Sequence, residues 1–151
     1  MQNIIVIFEA TDERVEGFAL AFGLGSVQRG ANIRLRHLNP SPEAHLAHQS
    51  YGTLQPNDLL WAEGVAVFLE SDRVAALDGL LAAIAATPTD ELRRKCFYVF
   101  GNDPQSEAVQ TVQRVLPVDA RQLRDDPGLR LATPDDFIRL GQQFVETGAT
   151  R

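Results

Sequence analysis

Cysteine, methionine and tryptophan each occur once in 151 residues. The single thiol, Cys96, excludes an internal disulfide framework and any metal cage built from cysteines. Cationic side chains are the minority: 14 Lys and Arg against 20 Asp and Glu leave a formal net charge of −6. Nucleic acid and anionic membrane surfaces both call for a basic face, so neither is an expected partner. Apolar runs all fall short of the roughly 20 residues that span a bilayer. No basic-then-apolar leader precedes the strand-like run that begins at Asn3, and with the lone cysteine this makes the cytoplasm the expected location. Internal repeats and low-complexity tracts are lacking, as are the G-x-S-x-G and P-loop patterns. Gly23-Leu24-Gly25 comes late in a helical segment rather than after a strand, which is no place for a dinucleotide fingerprint. What is present, 44% hydrophobic and 23% charged residues, suits one packed domain over residues 1–151 and not a disordered chain.

Asn3-Ile4-Ile5-Val6-Ile7-Phe8 is a continuous β-branched and aromatic run, the pattern of a strand buried on both faces. Beyond Glu9-Ala10-Thr11-Asp12-Glu13, the spacing of Val15, Phe18, Ala19 and Phe22 predicts a helix with one apolar face. Interior glycines cost that helix roughly 0.8–1 kcal/mol each relative to Ala, so tertiary packing must hold it. Residues 32–38 alternate apolar and polar, as a half-exposed edge strand does. From Asn39 to Asn57 prolines and Gly52 break the pattern, and a connection this long is expected to be functional or to carry its own helix. Gly64–Leu69 and Lys95–Phe100 read as central strands. Between them Ser71 or Asp72 is the expected cap of a helix that buries Val74, Leu77, Leu81 and Ile84. Asp103-Pro104 reads as a cap and first-turn proline, with Val109, Val112, Val115 and Leu116 inward. Leu129-Arg130-Leu131 is assigned as a short last strand. Thr133-Pro134 opens a final helix with Phe137, Leu140 and Phe144 inward and Gly148 at its end. Strands alternating with helices predict an α/β doubly wound, five-stranded parallel sheet of order 2-1-3-4-5, with helices on both faces.

Two segments of this pattern resemble the flavodoxin-like family, which includes the NAD(P)H-dependent FMN and quinone reductases. Val6–Glu16 aligns without gaps on the family's first strand, phosphate loop and helix start. Asn57–Phe68 is similar to its D-L-x-x-A-D-G-I-I-x-G approach to the third strand. The resemblance implies an FMN site lined by Thr11, Arg14, Glu70, Ser71, Gly101 and Asn102. The family's S/T-x-T-G-x-T loop surrounds the phosphate with hydroxyls and backbone N–H groups at a helix N-terminus. Here only Thr11 remains as a hydroxyl, and Ala10, Asp12, Glu13 and Val15 fill the other loop positions, with Glu9 just before them. Each carboxylate repels an anion by roughly 1 kcal/mol at 4 Å even at the dielectric of bulk water, and Arg14 offsets only one of them. First-turn acids instead complement the dipole of their own helix. The segment after Phe68, Leu69-Glu70-Ser71-Asp72-Arg73, lacks the longer insertion that shields the flavin ring in FMN-binding members, and Gly101-Asn102-Asp103-Pro104 is also short and acidic. The expectation is a flavodoxin-like domain with an eroded FMN site, acting as a binding or regulatory module toward a protein or small-molecule partner. Its alternative is an FMN-dependent oxidoreductase with a non-standard phosphate loop. A homodimer is compatible with either.

Other constellations are weaker. Leu77-Asp78-Gly79-Leu80-Leu81 resembles the M-D-G-x-x-L segment of response-regulator receiver domains, but their phosphoacceptor Asp falls on Ser71, which leaves a degenerate receiver as a second alternative. His45 and His48 with Glu43 have the residue types of a metal site, yet a loop pair of histidines is ordinarily just solvated. Cys96 begins a buried strand and reads as a core thiol, Trp61 as a packing residue, and His37 as an ordinary strand-end residue. Tyr51, in the long loop, is open to either reading.

Overall fold

The computed structural model describes residues 2–9, 13–38, 52–70, 77–103, 106–117 and 128–149. Strand β1 (Asn3–Glu9) leads into helix α1 (Glu13–Gln28), then β2 (Asn32–His37), β3 (Gly52–Thr53) and α2 (Pro56–Trp61). Next come β4 (Gly64–Leu69), α3 (Asp78–Ala85), α4 (Thr89–Arg93), β5 (Cys96–Phe100), α5 (Glu107–Val115) and α6 (Pro134–Ala149). All five strands are parallel, in the order β3-β2-β1-β4-β5. The doubly wound α/β class predicted from the sequence is therefore the one observed. β1, β4 and β5 are buried along nearly their whole length, as strands covered on both faces must be. No described helix is long and apolar enough to cross a membrane.

The fifth strand stands elsewhere than predicted. Four strands follow the expected 2-1-3-4 order, but Leu129–Leu131 form a turn, and the fifth position is taken by Gly52–Thr53 beyond β2. Two residues without a β-branched run leave little signal; their pairing is imposed by Arg36 and His37 of β2. Helix α5 also starts later than Asp103-Pro104: Ser106 is its N-cap, and its Oγ accepts from the Val109 N–H at 3.4 Å. Val115 is exposed at the end of that helix, whereas Val109, Val112 and Leu116 are buried as expected. Val74 and the expected caps Ser71 and Asp72 lie outside the described residues; Leu77 and Ile84 are buried as expected, but Leu81 is only half-buried and Leu80 takes the fully buried place.

One face of the sheet is covered by α1 and α6, the other by α2, α3 and α5. The first face is aromatic. Phe68 stacks on Phe100 at 4.8 Å between centroids, Tyr98 on Phe144 at 4.4 Å, and Phe22 meets Phe144 at 5.4 Å. On the other face the buried Asp58 ties α2 to β2. It accepts from Arg34 Nη1 at 3.3 Å, Arg36 Nε at 3.1 Å and the Gln55 N–H at 2.9 Å. The Arg34 guanidinium also lies 4.0 Å over the ring of Trp61, which is therefore a packing residue. At the start of α6, Asp136 accepts from the Thr133 N–H at 2.8 Å, and that bond, aided by Arg139, holds its carboxyl below the ordinary range.

Helices α1 and α6 touch backbone to backbone. A Cβ at Gly25 would lie far inside van der Waals distance of the Ile138 carbonyl, and one at Gly141 would meet the Phe22 carbonyl in the same way. Gly17, on the same helix as Gly25, has nothing within 4 Å of its missing Cβ. Gly25→Ala and Gly141→Ala are therefore expected to destabilise the fold by about 1–3 kcal/mol each, as overpacking does. Gly17→Ala is expected to stabilise it by roughly 0.5–1 kcal/mol through helix propensity. Urea unfolding followed by Trp61 fluorescence distinguishes the two signs.

Candidate functional site at the carboxyl edge of the sheet

The chain leaves β1 toward β2 on one side and returns to β4 on the other, so the strand order reverses between β1 and β4. Open α/β sheets hold their ligands in the crevice outside the carboxyl ends of the strands at such a switch point. Here that crevice is bridged. Glu9, the last residue of β1, is only 9% exposed, and its Oε1 accepts from the Glu70 N–H, just past the end of β4, at 3.1 Å.

The bridge is one link in a circuit. Asn102 Nδ2, after β5, donates to the Glu70 carbonyl at 2.6 Å. The Leu129 N–H donates to the Gly101 carbonyl at 2.8 Å and the Arg130 N–H to the Asn102 carbonyl at 3.1 Å. Arg14 Nη2, in the first turn of α1, donates to the Leu129 carbonyl, and its guanidinium lies 4.9 Å over the Phe18 ring. The links run from β1 to β4, to the end of β5, to the turn at residues 129–131, and back to the helix that follows β1.

Of the six residues predicted to line a site, Arg14, Glu70, Gly101 and Asn102 are all in this circuit. Thr11 and Ser71 lie outside the described residues, as do Asp12, Tyr51, His45 and His48. Glycine is required at 101 because a Cβ there would meet Ser106 Oγ and Val109 Cγ2. The segment assigned as a last strand does lie beside the end of β5, but as a turn. Gly128 has φ 76°, and a Cβ there would collide with the Asn102 carbonyl, so conformation and space together call for glycine. The dipeptide Pro127-Gly128 is the sequence signal for that turn. Glu9 carried no comparable signal as a bridge, because a strand-end carboxylate ordinarily faces water.

Electrostatically the edge is mixed. Arg14, the Asn102 amide and the strand-end N–H groups are donors; Glu9 supplies the acceptor, and Glu13 and Asp103 are exposed acids. The turn presents Leu131 outward, 76% exposed. Among the described residues, no group of three or more His, Cys, Asp or Glu is arranged to hold a metal ion.

The opposite, amino edge of the sheet holds a cleft of about 200 Å³ lined by Gln2, Ile4, Glu63, Gly64, Arg94, Cys96 and Phe144. Cys96 is buried there and in no disulfide, consistent with a core residue. Lys95 beside it is also buried and donates to the Ala62 carbonyl at 2.6 Å. Burial lowers its pKa, against the opposing pull of Glu91 and Glu63.

No family model matches the sequence, and no curated protein matches it. Solved structures do. A flavodoxin from the domain Archaea superposes with a TM-score of 0.65 at 16% identity, covering 97% of this chain and 99% of that one. The flavodoxin-like domain of a Synechococcus sp. protein gives 0.62 at 13% identity, with coverage of 98% and 99%. The fold is flavodoxin-like. The flavodiiron core of Flv1 from Synechocystis sp. PCC6803 gives 0.68 at 12% identity over 99% of this chain and 36% of that longer one. At these identities the flavodoxin likeness concerns the fold alone, and function resides in the chemistry of the edge.

Asn102→Ala removes one partner of the Glu70 carbonyl and is expected to cost about 1 kcal/mol. Asn102→Asp, which sets a carboxylate oxygen against that carbonyl, is expected to cost more. Equal unfolding midpoints for wild type and both variants would mean the link carries no weight.

Proposed function

We propose that this chain is a flavodoxin-fold binding or regulatory module whose carboxyl edge has given up the FMN phosphate site. The observation that carries the reading is the Glu9 carboxylate seated on the Glu70 N–H across the switch-point crevice. The described residues of this edge do not fit a phosphate dianion: a buried carboxylate already stands at the strand end, and Glu13 opens α1. Glu13, in the first turn, complements the positive end of α1, the service an anionic ligand would otherwise perform. A protein or small-molecule partner that meets the edge from outside suits the outward Arg130 and Leu131 better than a cofactor inserted between the strands.

A second reading, an FMN-dependent oxidoreductase akin to the NAD(P)H-dependent FMN and quinone reductases, is favoured by one feature. Arg14 and Asn102 converge on the edge as donors. In that case Arg14, Asn102 and the Glu70 N–H would hold the flavin, which would supply the electron transfer.

The two readings separate on colour and on charge. The purified protein is expected to lack flavin absorption, and Asp12→Thr with Glu13→Gly to raise FMN affinity by about tenfold or more, equivalent to about 1.4 kcal/mol. Riboflavin, without the phosphate, is expected to gain much less; both are read by flavin fluorescence quenching. Sub-micromolar binding of FMN by the wild type would overturn the proposal, and an equal gain for both ligands would overturn its electrostatic explanation.

A further inference from the structure

We propose that Glu9 is a built-in occupant of the switch-point crevice: its carboxylate holds the Glu70 N–H that an external phosphate or carboxylate would otherwise take, and so keeps such anions out. This rests on the reading of the edge as closed to the FMN phosphate, and assigns the closure to one side chain.

Glu9 ends the strand on one side of the topological reversal, and Glu70 follows the strand on the other side. Their hydrogen bond at 3.1 Å therefore crosses the crevice in which ligands of this fold class sit. A carboxylate is seldom buried unless its oxygens are bonded, because desolvation opposes it. At 9% exposure Glu9 meets that condition by using a backbone donor of the neighbouring strand. The surroundings favour negative charge at this point: α1 begins four residues later with its N-terminus toward the edge, and Arg14 in its first turn is bonded to the turn at Leu129. An anion-favouring field and a backbone donor thus converge on the crevice. Glu70 is fixed from its other side by Asn102, so the donor does not swing away when its acceptor is removed. Taking away the carboxylate while leaving the circuit through Asn102 and Leu129 exposes a preorganised N–H to solvent anions.

The test compares inorganic phosphate, FMN and riboflavin on three variants. Glu9→Ser vacates the position, Glu9→Gln keeps an acceptor oxygen but removes the charge, and Glu13→Gln removes a nearby exposed charge without vacating anything. Titration calorimetry for phosphate, with chloride at matched ionic strength as the reference, is expected to show affinity rising by about tenfold or more in Glu9→Ser, about threefold in Glu9→Gln and less than about twofold in Glu13→Gln. FMN is expected to gain more than riboflavin in Glu9→Ser. Far-ultraviolet circular dichroism and Trp61 emission report whether each variant is folded; if Glu9→Ser does not fold, Glu9→Gln decides. No gain over wild type in the folded Glu9 variants overturns the proposal, as does a gain in Glu13→Gln equal to that in Glu9→Ser, which would reduce the effect to net charge. Tight FMN binding by the wild type is a separate outcome: it removes the closed-edge reading itself.

Discussion

Helices α1 and α6 share one face of the sheet with their backbones in contact at Gly25 and Gly141. That approach sets the depth at which Phe18, Phe22, Phe137 and Phe144 enter the aromatic layer over Phe68, Tyr98 and Phe100. The first turn of α1 is held beside the strand ends, within reach of Leu129, and the turn that precedes α6 is held against Gly101 and Asn102. The packing of one face and the hydrogen bonding of the carboxyl edge are therefore a single constraint. Widening the helix pair would pull Arg14 and the turn at 129–131 apart.

That edge is where sequence chemistry departs most from fold geometry. A doubly wound sheet offers a crevice at its strand reversal by topology alone, whatever residues line it. Among the described residues, those lining it bond to each other: Glu9 with Glu70, Glu70 with Asn102, Asn102 with Arg130, and Leu129 with both Gly101 and Arg14. Net acidity fits the same picture, since at −6 the chain has little long-range field to draw an anionic ligand inward. The Arg34–Asp58–Arg36 cluster shows that the chain does use arginine for buried pairing, but on the far side of β2 and in the service of α2.

The strands were legible where burial on both faces demanded β-branched and aromatic runs: Ile4–Phe8, Val65–Leu69 and Phe97–Phe100 have no other reading. Helices with a full apolar stripe, such as Val15, Phe18, Ala19 and Phe22, were equally clear. Short elements escaped, because their conformation comes from tertiary contact and not from propensity. β3 exists by pairing with two residues of β2, α4 is a single turn or so behind Pro88, and Leu129–Leu131 dock on β5 without becoming a strand. For the site, topology alone was enough to bring Arg14, Glu70, Gly101 and Asn102 to one edge. What each of them bonds to was not legible. A partner such as the Leu129 carbonyl belongs to the backbone 115 residues away, and no side-chain pattern encodes it.

The closed edge depends most directly on the state of one backbone amide. If the Glu9 carboxylate spans the crevice and Asn102 fixes the neighbouring carbonyl, the Glu70 N–H is withdrawn from solvent in the wild-type protein. Native-state hydrogen exchange at that residue is then expected to be slow, with protection approaching that of the β4 and β1 amides, and to open only with larger unfolding. Exchange of Glu70 at the rate of an exposed loop amide, with β4 still protected, would contradict the closed edge.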